Sequence, residues 1–256
     1  MNFKNKVAIV TGAGQGIGFE ICRQLVEKGA IVLLNDLSSE LAEQAAFKIN
    51  NEGTVACIAI AGDACDTVFI NKMVDIAIEL YGQLDIVIAN AGITLYGDFS
   101  TYSEDSFFKV MKVNLGGPFF LAQAASNKMK LQDNGGAILF TSSVVGHQAL
   151  KNLAAYAMTK AALEMLAKNL VIELSQFKIN VNTIAPGATL TERTTEEEDY
   201  ERIWSHITPM GRPAYVSDIA KTALFLVSDD AKHITGQSLI VDGGWTTVSI
   251  LPEGIK

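Results

Sequence analysis

Short β-rich runs alternate with amphipathic helical stretches along almost the whole chain. The runs are Val7–Val10, Ile31–Asn35, Val55–Ile60, Leu84–Ala89, Ala137–Thr141, Ile179–Ile184 and Ser238–Val241. Most do not alternate apolar with polar residues, which is the pattern of a parallel sheet covered on both faces. Helical periodicity fills the intervals near Gly18–Lys28, Ser39–Asn51, Thr67–Tyr81, Glu104–Lys130, Ala154–Gln176 and Val216–Val227. This order predicts one α/β domain over residues 1–256. Its expected form is a doubly wound, Rossmann-type, seven-stranded parallel sheet with helices on both faces and right-handed crossovers.

Composition narrows the function classes. The chain has 256 residues and a formal net charge of -8, so it lacks the basic footprint of a nucleic-acid binder. No apolar stretch approaches the roughly 18 to 20 residues of a membrane span. The run Val7–Val10 is too short for a signal-peptide core. Three cysteines, Cys22, Cys57 and Cys65, form no CxxC pair. Free thiols and a cytoplasmic location are expected. His147, His206 and His233 are scattered without metal-ligand spacing, so no metal site is expected.

Thr11-Gly12-Ala13-Gly14-Gln15-Gly16-Ile17-Gly18 joins the first strand to the first helix. Glycines there permit a tight turn and close approach of backbone to a pyrophosphate, which meets the free N–H groups of the helix N-terminus. Asp36 ends the second strand. A carboxylate at that point accepts hydrogen bonds from the adenosine ribose hydroxyls and repels a 2′-phosphate. The residues after Asp36 supply no Arg or Lys to hold such a phosphate. NAD(H) is therefore expected over NADP(H).

On these motifs the sequence resembles the classical short-chain dehydrogenase/reductase family, from about Lys4 to Trp245. The family's Thr-Gly-x-x-x-Gly-x-Gly falls on Thr11, Gly12, Gly16 and Gly18. Its adenine-contacting Asp falls on Asp63, beside Ala64, and its Asn-Ala-Gly on Asn90, Ala91 and Gly92. Where the family usually has a further Asn, this chain has Ala89. The resemblance implies cofactor contacts from Gly12, Gln15, Gly16, Ile17, Gly18, Asp36, Asp63, Ala64, Asn90, Ala91, Gly92, Tyr156, Lys160, Pro186, Gly187, Thr189 and Thr191.

Tyr156 and Lys160 stand at i and i+4, on one face of a helix. A phenol near pKa 10 is a poor base at neutral pH. A neighbouring ammonium and an oxidised nicotinamide both favour the phenolate. The resemblance assigns Tyr156 as acid/base, and Lys160 as the group that lowers its pKa and binds the ribose. It places the substrate-orienting serine thirteen positions before the tyrosine, at Ser143, with Ser142 as its structural neighbour. The fourth catalytic member falls on Asn114, where adjacent glycines suggest a helix kink that frees a carbonyl for a relay water near Lys160.

Residues 188–212 read as a substrate loop. Its segment Thr191–Trp204 carries the run Glu196-Glu197-Glu198-Asp199, either a solvated face or a lid over the ligand. His147 is either an ordinary loop histidine or a substrate contact. Phe107, Phe108, Phe119 and Phe120 read as core or subunit interface. Ser143 lacks a Gly-x-Ser-x-Gly elbow, which argues against a hydrolase. The expected activity is hydride transfer between NAD(H) and a secondary alcohol/ketone such as a sugar, polyol or hydroxysteroid. A 3-oxoacyl-thioester reductase is the alternative, and a catalytically silent dinucleotide sensor or a SAM-dependent methyltransferase would be a different class. The family commonly assembles as a homotetramer through long helices, and the tail from Leu251 to Lys256 could reach a neighbouring subunit.

Overall fold

In a computed structural model of the chain, residues 1–51, 53 and 56–248 are described. The tail from Leu251 onward and the first residue of the expected strand at Val55 lie outside them. Seven parallel strands form one sheet: β1 (Val7–Val10), β2 (Ile31–Asp36), β3 (Cys57–Ala61), β4 (Ile86–Ala89), β5 (Gly136–Thr141), β6 (Ile179–Pro186) and β9 (Ser238–Val241). Their spatial order is β3-β2-β1-β4-β5-β6-β9. A separate parallel pair joins β7 (Thr189–Leu190) to β8 (Ala214–Tyr215). The helices are α1 (Gly16–Glu27), α2 (Ser39–Asn51), α3 (Thr67–Tyr81), α4 (Glu104–Met111), α5 (Gly117–Met129), α6 (Ala154–Leu174), α7 (Tyr200–Ile207) and α8 (Val216–Leu226).

The sheet divides the core into two layers, and β1 shows how. Ala8 and Val10 pack with Ile21, Leu25, Ala46 and Ile219 of α1, α2 and α8. Val7 and Ile9 pack with Ile70, Met73, Leu121 and Leu163 of α3, α5 and α6. Successive strand residues point to opposite faces. With both faces covered, every position of β1 is buried, which explains its unbroken apolar run.

Chain order reverses at β1, between β2 and β4. The loops on the two sides of this switch point diverge and leave a crevice at the carboxyl ends of the strands. Asn90, just past β4, holds its floor together. Its amide donates to the Thr11 and Gly12 carbonyls at 3.1 and 2.9 Å. Its oxygen accepts from Thr141 Oγ1 at 3.3 Å. One side chain thus joins the ends of β1, β4 and β5.

The helix expected over Glu104–Lys130 is divided. A π turn over Lys112–Gly116 separates α4 from α5, and the Gly117 N–H donates to the Lys112 carbonyl, five residues back. Pro118 at the start of α5 has no N–H to continue a regular ladder. Gly117 is tight as well: a β-carbon there would lie 2.7 Å from the Ala64 carbonyl oxygen. The irregular turn brings α5 against the loop after β3 and turns Asn114 inward, where it is fully buried.

Replacing Asn90 by Ala removes these ties together. Loss of stability by about 2–3 kcal/mol is expected in urea unfolding; an unchanged midpoint would show that the loops hold without it.

Candidate active site

The crevice widens into a cavity of about 620 Å³ along the carboxyl edge of the sheet. Gly12, Gln15, Gly16, Ile17 and Gly18 line it after β1, Asp36 after β2, and Asp63 and Ala64 after β3. Asn90, Ala91 and Gly92 follow β4, Ser143 follows β5, and Pro186, Gly187, Thr189 and Thr191 follow β6. Tyr156 and Lys160 reach in from α6. All the cofactor residues expected from sequence therefore share one cavity. Asn114 does not line it.

The turn after β1 is shaped to admit a phosphate. Gly12 and Gly16 adopt φ of +60° and +63°, a region costly for side chains other than glycine. A β-carbon on Gly12 would lie 2.7 Å from Ala91 Cα, and one on Gly18 would lie 2.5 Å from the Gly12 carbonyl. Gly16 differs, because a β-carbon there meets nothing closer than 3.5 Å. Its open side faces the cavity at the N-terminus of α1, where free N–H groups favour an anion.

At the β2 end, Asp36 accepts from Gly14 N at 3.0 Å and Ser38 N at 3.1 Å. Asn35 beside it is buried, and its amide donates to the Ile60 and Gly62 carbonyls. Among the described residues its side-chain oxygen has no partner. A buried acceptor without a partner in the wall of a cavity fits a ligand that carries donors. Across β3, Asp63 accepts from Cys65 N at 2.9 Å. These groups fit the adenosine half of a dinucleotide.

At the opposite end, Ser143 opens a short 3₁₀ turn, Val144–Gly146, and its hydroxyl accepts from Val145 N at 3.4 Å. The Ser143 and Thr94 hydroxyls hydrogen-bond the Tyr156 oxygen. Lys160 stands one helical turn on, with Nζ 5.4 Å from the centre of the Tyr156 ring, and donates to the Thr141 carbonyl at 2.7 Å. Asn114 acts from behind. Its amide donates to the Ile93 carbonyl at 2.9 Å and its oxygen accepts from Ile93 N at 2.8 Å. That bracket fixes the loop carrying Gly92 and Thr94. A β-carbon on Gly92 would lie 3.4 Å from Asn114 Oδ1 and 3.5 Å from Lys160 Nζ.

Burial moves both titratable groups away from their ordinary values. It pushes the Tyr156 phenol up, against the opposing effects of Ser143, Thr94 and the Arg193 charge. It lowers the Lys160 ammonium to about 8. In the free protein, therefore, Lys160 has shed its proton before the phenol titrates. The sequence expectation counts the charge of an oxidised nicotinamide beside that of Lys160, and the free protein lacks the first of these.

Ser142 is more than a neighbour. It is within hydrogen-bonding reach of the Lys160 carbonyl at 3.0 Å and Glu164 Oε1 at 2.7 Å. His147 Nε2 lies 2.8 Å from the same Glu164 oxygen and 3.2 Å from Ser238 Oγ. Glu164 thus ties both ends of the Ser143 turn to α6. His147 belongs to this clamp and does not line the cavity. Sequence reasoning also missed Thr94, Arg193 and Tyr200, which do line it. The first follows the Asn-Ala-Gly turn by two residues, and Arg193 is a cation set in an acidic segment.

Over the open side, the segment after β6 forms β7, a 3₁₀ turn (Thr194–Glu196) and α7. Thr194 Oγ1 pins the turn, donating to the Thr189 carbonyl at 2.9 Å and accepting from Thr191 N at 2.8 Å. Tyr200 of α7 reaches the cavity. Trp204 packs edge-on against Trp245 at 5.4 Å, and Trp245 rests on the cluster of Val144, Val145, Leu153 and Tyr156.

Because the folded lysine titrates near 8 and a free one near 10.4, the unfolded chain binds the extra proton between those values. The Lys160 contribution to stability therefore rises with pH across that window and is least favourable below pH 8. Lys160→Met should stabilise the fold at pH 7 by up to about 3 kcal/mol, less what the Thr141 bond supplies, and the gain should vanish near pH 10. Equal effects at both pH values in thermal unfolding would refute the assignment.

The comparisons with known proteins agree with this geometry. A family model described as enoyl-(acyl carrier protein) reductase matches residues 12–246. An L-rhamnose 1-dehydrogenase (NAD(P)(+)) of Azotobacter vinelandii is 35% identical over 94% of this chain and 96% of its own. An NAD-dependent glycerol dehydrogenase of Listeria innocua is 36% identical over 96% and 95%. The crystal structure of a short-chain type dehydrogenase/reductase from Mycobacterium marinum superposes with a TM-score of 0.90 at 30% identity, over 96% of this chain and 97% of that one. The chain belongs to the short-chain dehydrogenase/reductase family of nicotinamide-dependent oxidoreductases.

Proposed function

We propose that this protein is an NAD(H)-dependent dehydrogenase of a secondary alcohol/ketone pair. The observation that carries the reading is a single cavity with a glycine turn and Asp36 at one end and Ser143, Tyr156 and Lys160 at the other. A bound nicotinamide supplies the hydride acceptor or donor. Tyr156 takes the proton of the alcohol in oxidation and returns it in reduction. The Ser143 hydroxyl, which already bonds the phenol oxygen, orients the substrate oxygen and stabilises its developing charge. Lys160 holds the ribose and, when protonated, favours the phenolate. Asn114 positions the Gly92–Thr94 loop against both.

Support for NAD(H) comes from Asp36, followed by Leu37 and Ser38, neither of them cationic. The carboxylate would lie against a 2′-phosphate with no partner to neutralise it. Residues 188–212 serve as the substrate loop, with α7 as its lid. The 3-oxoacyl-thioester alternative has the family model's description in its favour; nothing in the cavity selects it over a smaller ketone. A silent sensor would have no use for a phenol held between two hydroxyls. Among the described residues no helix is long and apolar enough to cross a membrane, and a cytoplasmic enzyme fits the three free thiols.

The test is NAD⁺ reduction over a panel of sugars, polyols, hydroxysteroids and hydroxyacyl thioesters, with NADP⁺ in parallel. Tyr156→Phe should lower turnover by about a hundredfold or more while NADH still binds. NADP⁺ should be about tenfold or more poorer in kcat/KM. Full activity in the phenylalanine variant would sink the mechanism, and equal use of NADP⁺ would sink the cofactor assignment.

A homotetramer is part of the same reading. Phe108, Phe119 and Phe120 are 59%, 43% and 42% exposed. With Met111, Leu115 and Leu166 they line an apolar groove across α4, α5 and α6. Light scattering should return four times the 27.5 kDa chain mass; a monomer at micromolar concentration would refute it.

A further inference from the structure

The chain has four arginines. Arg23 pairs with Glu20 and Glu27, Arg202 with Asp199, and Arg212 with Asp218. Arg193 is the exception. Among the described residues no carboxylate oxygen comes within 4.0 Å of its guanidinium. Partners are close in sequence: Glu192, Glu196, Glu197, Glu198 and Asp199 all belong to the same segment. In a chain of net charge -8, a guanidinium held apart from five neighbouring carboxylates is an unusual arrangement.

Its surroundings give the arrangement a direction. Arg193 lines the cavity beside Thr94, Tyr156 and Tyr200. Its positive charge acts on the oxygens of both phenols. The preceding residue faces the other way: Glu192 Oε2 lies 3.7 Å from a β-carbon placed on Gly16, in the phosphate-binding turn. The two adjacent side chains thus divide the cavity, with Glu192 toward the dinucleotide half and Arg193 toward the proton-transfer half. An arginine keeps its proton at any physiological pH, and its planar fork matches a carboxylate with two parallel hydrogen bonds.

Resting on the dehydrogenase reading above, we propose that the substrate is a short hydroxy acid, or the corresponding oxo acid. Its carboxylate pairs with Arg193 while its hydroxyl or carbonyl oxygen meets Tyr156 and Ser143. In oxidation the carbinol C–H bond breaks, its hydrogen leaving with both electrons as hydride to the nicotinamide. The O–H proton passes to Tyr156, and the carboxylate leaves unchanged. The acid also completes the site electrostatically, since it neutralises a guanidinium in the cavity wall that no carboxylate among the described residues reaches.

The experiment is calorimetric titration of pyruvate, acetoacetate and levulinate, each against its methyl ester, into the NAD⁺-saturated enzyme, where an oxo acid cannot be reduced, and into the free protein. At least one acid should bind about tenfold or more tightly than its ester. Arg193→Leu should bring that ratio close to one, and Arg193→Lys should retain part of it. A ratio near one in the unaltered protein overturns the proposal, as does a ratio that survives Arg193→Leu. A variant that keeps the ratio but loses NADH affinity assigns the guanidinium to the cofactor phosphates and also overturns it. Failure of the dehydrogenase reading looks different. NADH then gives no heat, and neither hydroxy acids nor neutral alcohols reduce NAD⁺, whereas the acid-to-ester contrast in the free protein still reports on Arg193.

Discussion

Parallel pairing is the constraint on which the rest of this molecule depends. Every strand of the main sheet runs the same way, so every connection must return across a face of the sheet. All carboxyl ends therefore emerge along one edge. Residues as distant in sequence as Gly12, Asp36, Asn90, Ser143 and Gly187 line one cavity for this reason. The reversal of chain order at β1 parts the loops, and Asn90 keeps the parted ends in register.

The price of a buried acid/base site falls on Lys160 and Tyr156. Both lose solvation for their charged forms, and in the free protein each is pushed toward neutrality. A site in that condition is poised: a positive charge arriving nearby changes the protonation of two groups whose charged states are only weakly held. The fixed Arg193 charge is the one protein cation that already lowers the Tyr156 pKa. The protonation of Tyr156 and Lys160 is consequently sensitive to any charge that enters this low-dielectric space.

Strands such as β1 and β4 were legible because burial on both faces leaves unbroken apolar runs there, whereas β6 carries buried Asn182 and Thr183 within its run. The glycine turn of the cavity was legible because a tight turn with positive φ demands glycine at fixed places, as at Gly12 and Gly16. The division of α4 from α5 was not, since side-chain periodicity continues through Lys112–Gly116 while the backbone adds a residue to its ring. Only Gly116-Gly117-Pro118 hinted at it. The Ser142–Glu164–His147 clamp was invisible for another reason. Its members are ordinary polar residues, and only the packing of a turn onto α6 gives them a common oxygen. Arg193 and Tyr200 were hidden by lying in a segment whose charge pattern also describes a solvated surface.

One contact on the outer side of the site has a use of its own. Trp204 and Trp245 are the only tryptophans in the chain, and they touch across the boundary between α7 and the body of the domain. Two indoles at that separation share their electronic transitions. The near-ultraviolet circular dichroism of the unlabelled protein accordingly carries a signal from this one boundary. Any displacement of α7 would uncouple the rings, so whether α7 moves can be followed with light alone, without a label or a substrate.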